Sequence, residues 1–525
     1  MRPDRVEGTG VGIVLALVIL ATVVATFARR LSVPAPSLLV VAGVLVGLLP
    51  GVPQVRVAPD VVSVVVLPPL LYAAAEELSW RDLRAVQRPV TILALGLVVA
   101  SAAAVGLLAL AVTPLSADMA FVLGAVLAST DPVAVSALGR RLALPPRVQA
   151  LVQAESLFND ATSLVLFRVA VGIAVTSGAI SWVHVVGEFV WLAGGGAVVG
   201  ALVAAGVTLI RRRTEDPVLE TVIALVTPYT CYLLAERLAA SGISAVVVAG
   251  VILGTQTADI TTSRIRLQLH AVYGTVVFLL ESVVFALIGL QLPTLIRDLS
   301  RAGTWWPLAA LAISGTLLAI RAVWVFPLSA AMQRRRGTRP SWRVPLVVSW
   351  AGARGVLPLA AALSIPLTDH AGHPLQDREL VLLLTATVIV MTLTVQGFTL
   401  APLVRRTGIA LTSHDTILEG LRTRLQITYV ALERLDQMTD LEVAPEVVIA
   451  RLHRELTSRI DQLEAGRHNG RPDPTADSYR WLRRDLIAVE SAELNRLYET
   501  GHISDTTRRN IQHALDLEDT GLGDD

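Results

Sequence analysis

The sequence contains no lysine; its 44 residues of the Lys and Arg class are all arginine. Schiff-base chemistry and a titrating side-chain ammonium are therefore excluded, as is a phosphate-binding loop of the Gly-x-x-x-x-Gly-Lys type. An ATP-driven pump built on that loop goes with it. A single cysteine, Cys231, excludes an intramolecular disulfide and argues against a cysteine-ligated metal centre. His184, His270, His370 and His373 lie near the ends of apolar runs or between them, and none makes a metal-spaced set. With a formal net charge of only +1, no nucleic-acid partner is expected.

What the chain has in quantity is apolar sequence: 53% of 525 residues are hydrophobic and the mean hydropathy is +0.62. That is too apolar for a soluble enzyme. Repeated apolar runs indicate an all-α polytopic membrane protein, with about 13 spans at roughly 10–28, 35–49, 58–78, 89–113, 118–138, 148–175, 182–210, 217–237, 242–257, 270–296, 304–330, 343–367 and 378–404. The second and ninth are short for full spans. Gly10–Ala28 is long enough to span and ends in Arg29-Arg30, so it reads as a first span rather than a cleaved signal.

Charge divides the chain in two. Up to Val404 there are 28 arginines against 21 acids, and from Arg405 onward 16 against 22. A membrane domain over 1–404 and a soluble helical tail over 405–525 are expected. In the tail, Ile417, Leu421, Leu425 and Tyr429 recur at helical spacing, Gly466–Asp477 reads as a linker, and Ser504-Asp505-Thr506-Thr507 has the form of a helix N-cap. No catalytic constellation is found there. Regulation or self-association is its expected task, a solubilising appendage the alternative, and its partner is unknown. Arginine clusters fall in alternate loops, from Arg29-Arg30 and Arg81/Arg84/Arg88 to Arg211-Arg212-Arg213 and Arg405-Arg406. The positive-inside rule then puts the N-terminus outside and the tail in the cytoplasm of a plasma-membrane protein, which requires an odd number of spans.

The chemistry concentrates in Gln153-Ala-Glu155-Ser156-Leu-Phe-Asn159-Asp160-Ala-Thr162, inside the sixth apolar run. Ionisable groups at bilayer depth are costly and mark ion or proton paths. On a helix Ser156 and Asp160 share one face, Glu155 and Asn159 the neighbouring one. Loss of solvation favours the neutral form of a carboxyl group. Asp160 is thus expected to hold a proton or a hard monovalent cation but not both, with Ser156 and a freed carbonyl at Thr130 as further cation ligands. Hydrogen bonding between helices is the alternative role for Asp160.

Two spans are expected to be broken. The fifth contains Ser129-Thr130-Asp131-Pro132, whose proline frees carbonyls near the bilayer centre, and the twelfth Gly352-Ala-Arg354-Gly355 followed by Pro358. In an inverted repeat of six spans plus six, with the seventh as linker, these breaks occupy matching positions and cross at the binding site. Glu155, Asn159 and Arg354 are expected to form a scaffold, the carboxylate pairing with Arg354 across the sixth and twelfth spans. Asp131 and Arg321 are expected to support the crossing by neutralising exposed helix ends. Glu281 has three open roles: partner of Arg321, partner of Arg354, or pathway residue. Glu76 reads as an interface residue or a ligand, and Arg168 as a group reaching for the interface or a funnel.

At Ser129-Thr-Asp131-Pro132, Glu155-Ser-Leu-Phe-Asn159-Asp160 and Gly352-Ala-Arg354-Gly355 the sequence resembles the cation:proton antiporter-1 family, which includes bacterial NhaP-type sodium/proton antiporters. Leu494-Asn-Arg-Leu-Tyr-Glu-Thr-Gly501-His-Ile-Ser504-Asp505 in the tail resembles the bacterial branch. The resemblance implies Asp160 as the ion- and proton-binding carboxylate, an inverted-repeat fold and a homodimer. With an amide at Asn159 it also implies electroneutral exchange. One position departs: many such proteins carry a carboxylate after the aromatic of Leu67-Pro-Pro-Leu-Leu-Tyr72, where this chain has Ala73, leaving that ligand either absent or replaced by Glu76. The expected function is sodium (or lithium)/proton antiport in pH homeostasis, with potassium/proton antiport on the same scaffold as the alternative. A channel is disfavoured because no filter-like carbonyl loop is found, no cofactor is expected, and the chain is not expected to be an enzyme.

Overall fold

The computed structural model describes residues 18–24, 26, 35–49, 59–78, 80–130, 146–176, 182–214, 216–299, 305–335, 341–368, 373–409, 413–440, 445–469, 474–500, 502 and 504–522. They fall into two compact units, Met1–Ala410 and Leu411–Asp525.

In the first unit α1 covers Ala35–Gly47 and α2 Leu67–Glu76, the latter preceded by a wide π-helical turn at Val62–Val66. Helix α3 (Trp80–Thr91) continues through a second wide turn at Ile92–Leu97 into α4 (Val98–Val112). Then follow α5 (Ala117–Leu127), α6 (Pro146–Thr176), α7 (Trp182–Arg211), α8 (Pro217–Arg237), α9 (Gly242–Ile260), α10 (Ser263–Leu299) and α11 (Trp306–Arg335). Helices α12 (Arg343–Trp350) and α13 (Val356–Leu363) are the halves of one interrupted span, and α14 is Arg378–Thr407. Among the described residues, seven helices are long and apolar enough to cross a bilayer, and four shorter apolar helices accompany them. Helix α7 turns Val198, Leu202 and Leu209 outward, as a membrane helix does. The chain is a multi-pass membrane protein. The first expected span lies mostly outside the described residues.

Packing sorts the helices into two bundles. One gathers α3 to α6 with α11 to α14; the other joins α1, α2, α8, α9 and α10, with α7 laid along α9. The second is built on small residues, which let backbones approach where lipid offers no hydrophobic drive. A Cβ at Gly254 of α9 would lie 2.4 Å from the Glu76 carbonyl at the end of α2, and one at Gly289 of α10 would lie 2.3 Å from the Val40 carbonyl of α1. These contacts follow Gly43-x-x-x-Gly47 and Gly250-x-x-x-Gly254 spacings.

The twelfth span breaks as expected: α12 ends at Trp350 and helix resumes at Val356. The fifth unwinds at Ala128, and Ser129 and Thr130 are non-helical; Asp131 and the rest of that run lie outside the described residues.

In the second unit, α15 (Ser413–Asp440) packs on α16 (Glu446–Asn469), and α17 (Pro474–Glu499) on α18 (Asp505–Gly521). Ser504 caps α18 as its sequence suggests, accepting the Thr507 amide at 3.2 Å. The expected linker is mostly helical, because α16 runs on to Asn469 and α17 starts at Pro474.

Candidate ion-binding site

The middle of α6 buries four polar side chains in succession: Glu155, Ser156, Asn159 and Asp160 are all 5% exposed or less. Their partners come from the unwound end of α5. A carbonyl in a helix interior is already occupied; that of Thr130, past the last turn, is free, and it accepts the Ser156 hydroxyl. Ser129 donates its hydroxyl to Asp160 Oδ1. Asn159 Nδ2 donates to Thr130 Oγ1 at 3.0 Å and to Glu155 Oε1 at 3.4 Å. A carboxylate, two hydroxyls and a backbone carbonyl thus converge, the hard-oxygen set that suits a small cation.

Glu155 is not paired with Arg354. Its two oxygens accept Nη1 and Nη2 of Arg321, both at 2.7 Å, while Arg321 Nε donates to the Val348 carbonyl at 3.2 Å. This corrects the expected pairing. A planar fork on α11 meets the carboxylate squarely and ties α6 to α12 with its remaining donor. Gly352 makes the room, since a Cβ there would lie 2.6 Å from Arg321 Nε. Arg354 instead serves the break it sits in: Nη1 donates to the Gly352 carbonyl at 3.1 Å, beside the carbonyl-rich end of α12. Sequence spacing showed two buried arginines but not which would lie beside α6. Arg321 accordingly holds Glu155 and, through Nε, a carbonyl in the last turn of α12, while Asp131 lies outside the described residues.

A cavity of about 530 Å³ opens onto this cluster. Ser129, Ser156 and Asp160 line it, and Glu155 and Asn159 do not. Its other walls bring in Ala73, Glu76 and Glu77 from the end of α2, Arg266, His270, Tyr273 and Glu281 from α10, and Val356–Pro358 at the start of α13. Tyr273 stacks on Tyr72 at 5.7 Å between centroids and donates to the Ala224 carbonyl at 2.6 Å, fixing the wall where α2, α8 and α10 meet. Glu281 and Glu76, each left between several roles by the sequence, both line this cavity.

Ser129 is not legible as a site residue in the sequence, because a serine beside a break carries no signal of which carboxylate it will meet. His270 stands near a span end in the sequence, and in the fold it lines the cavity. Arg211 belongs to a loop cluster in the sequence, and in the fold it is buried against Glu220 at 2.8 Å. Arg168 is ion-paired with Glu236.

The family model for the transmembrane sodium/hydrogen exchanger matches residues 15–406. The chain belongs to this family. The exchanger is 35% identical over 529 residues to an uncharacterized Na(+)/H(+) exchanger of Mycobacterium tuberculosis, covering 98% of this chain and 96% of that one. It is 30% identical over 501 residues to the Na(+)/H(+) antiporter ApNhaP of Aphanothece halophytica, covering 94% and 93%. The solved structure of the sodium proton antiporter MjNhaP1 from Methanocaldococcus jannaschii at pH 8 matches with a TM-score of 0.63 at 21% identity, over 76% of this chain and 99% of that one, and shows the shared fold. As a member of this family the exchanger is a secondary transporter of sodium against protons, not an enzyme, and its ions are substrates rather than cofactors.

Proposed function

We propose that sodium and protons compete for Asp160 in an electroneutral, alternating-access exchange. The observation that carries this is the different placement of two carboxylates on one helix. Glu155 is locked by Arg321, whereas Asp160 lines the cavity with Ser156 and Ser129, and the Thr130 carbonyl stands behind Ser156 as the acceptor of its hydroxyl. When only one group at the site changes its charge, each cation bound displaces one proton. Asn159 adds no second titrating group. Ser129, Ser156 and the Thr130 carbonyl complete the cation's shell, and Glu76 supplies negative charge in the cavity where Ala73 supplies none.

The two bundles give the exchange its moving parts, the one holding α6 shifting against the one built on α1, α2 and α8 to α10. Arginine-rich loops support a cytoplasmic mouth for the cavity and a plasma-membrane setting for the domain over 1–404, and by the same charge rule the segment 405–525 is read as cytoplasmic. The second bundle, dense in close helix contacts, is suited to form the seam of a homodimer in lipid. The tail acts as a regulatory module.

Proton flux in sealed proteoliposomes tests this reading, with Na⁺, Li⁺ or K⁺ pulses and the membrane potential clamped or free. Sodium-driven proton movement indifferent to the potential is expected. A potassium-only response would reassign the cation, and dependence on potential would mean that a second group titrates, with Glu76 the first to examine.

A further inference from the structure

A second cavity, of about 570 Å³, flanks the other half of α6. The first takes residues up to Asp160, and the second begins at Leu164, four residues or about 6 Å further along the axis. Helix α2 repeats the order, giving Leu67 to the second cavity and Leu70 to the first. One turn of each helix separates the two spaces, and Asp160 lines only the first. Leu164, in that dividing turn, is 2% exposed.

Inside the second cavity Arg168 of α6 donates to Glu236 in the last turn of α8, and its Nη1 reaches the Ala240 carbonyl at 3.5 Å. The other oxygen of Glu236 accepts the amide of Gly242 at the start of α9, at 3.2 Å. Arg168 rides on the bundle that carries Asp160, while Glu236, Ala240 and Gly242 belong to the other. The ion pair therefore crosses the seam between bundles, on the side of Asp160 away from its open cavity.

Its exposure sets it apart from the pair within the bundle. Arg168 and Glu236 keep 30% and 27% of their side-chain surface accessible, against 3% and 1% for Arg321 and Glu155. A partly hydrated pair opens at small net cost because water replaces each partner, whereas a buried pair separates only at great cost. One pair is fit to be permanent and the other to be broken repeatedly.

We propose that the Arg168–Glu236 ion pair is a gate: it closes the face of Asp160 opposite its open cavity and must break in every exchange cycle. The inference rests on the antiport reading above and adds the contact that alternating access has to release.

The lone cysteine makes a direct test practical. Arg168→Cys and Glu236→Cys are combined in a Cys231→Ala background and assayed for sodium/proton exchange in proteoliposomes before and after treatment with a bifunctional methanethiosulfonate, whose spacer replaces the length of the two native side chains. Linking the two positions is expected to lower exchange to the level of protein-free liposomes, with recovery on reduction. Undiminished exchange while cross-linked overturns the gate but leaves the antiport reading standing, since that is judged on the wild-type protein. A second measurement does not need transport. Leu164→Cys, again without Cys231, is expected to react faster with a small water-soluble thiol reagent once Glu236→Gln has removed the pair. An unchanged labelling rate overturns the gate even if the double-cysteine protein is inactive when reduced.

Discussion

Arg321 grips Glu155 through two parallel N–H···O bonds of 2.7 Å, and the grip leaves Asp160, five residues on, as the carboxylate of α6 that meets the cavity. Structure and chemistry are thereby divided between neighbouring acids. Glu155 neutralises a buried guanidinium and fastens α6 to α11, and Asp160 lines the cavity with the Ser129 hydroxyl on its Oδ1.

Breaking that pair from one side strands a buried charge. Arg321→Ala is expected to cost about 3–5 kcal/mol, read as a lowered thermal midpoint of the purified protein in detergent. Arg321→Lys should not restore it, because an ammonium cannot make the fork. Glu155→Leu combined with Arg321→Met should recover most of the loss, while Glu155→Leu with Arg354→Met should not. Rescue by the Arg354 combination would return Glu155 to the partner first expected from the sequence.

Ser129 supplies a smaller effect at the site itself. Its hydroxyl bonds to Asp160 Oδ1. A hydrogen bond to a charged group is worth roughly 1.5–3 kcal/mol. Ser129→Ala is therefore expected to retain exchange but to raise the sodium concentration for half-maximal rate by roughly tenfold or more, at about 1.4 kcal/mol per factor of ten. Ser129→Thr, which keeps the hydroxyl, should lie closer to wild type. Equal kinetics in Ser129→Ala and wild type would remove Ser129 from the ligand shell.

Much of this site was legible in the sequence because the bilayer makes polar residues conspicuous. Glu155, Ser156, Asn159 and Asp160 stand out in an apolar run, and Pro132 and Gly352 announce where helices cannot continue. Helical periodicity then placed Ser156 and Asp160 on one face, where the cavity now lies. What could not be read was tertiary: which arginine reaches Glu155, which hydroxyl reaches Asp160, and which loop arginine folds inward. Arg211 looked like its neighbours Arg212 and Arg213, and only the return of α8 brings Glu220 to it. The small-residue seams were present as Gly-x-x-x-Gly spacings, but such a spacing does not name the helix it will meet.

The tail offers a pH prediction with a definite sign. Arg483 donates to both oxygens of Glu518, at 2.7 and 2.9 Å, joining α17 to α18, and these bonds hold the Glu518 carboxyl below its usual range. A carboxyl group lowered by folding contributes stability above its unfolded value, near pH 4.3, and loses it as pH falls through the lower folded value. This contact should be indifferent to pH between about 5 and 8 and should weaken only in stronger acid. Limited proteolysis of the intact protein checks it: protection of the α17–α18 hairpin should stay constant over the neutral range. Loss of protection between pH 8 and 6 would mean that other groups in the tail sense pH.

In the proposed exchange one carboxylate, Asp160, trades a proton for a sodium ion. Proton release on adding sodium to purified protein in weakly buffered detergent measures it most directly, paired with sodium binding on the same samples. The wild-type protein is expected to release one proton for each sodium bound, and Asp160→Asn, folded and with an unchanged elution volume, neither to bind sodium nor to release protons. Sodium-dependent proton release that persists in Asp160→Asn would contradict the account, because another group would then be carrying the exchange.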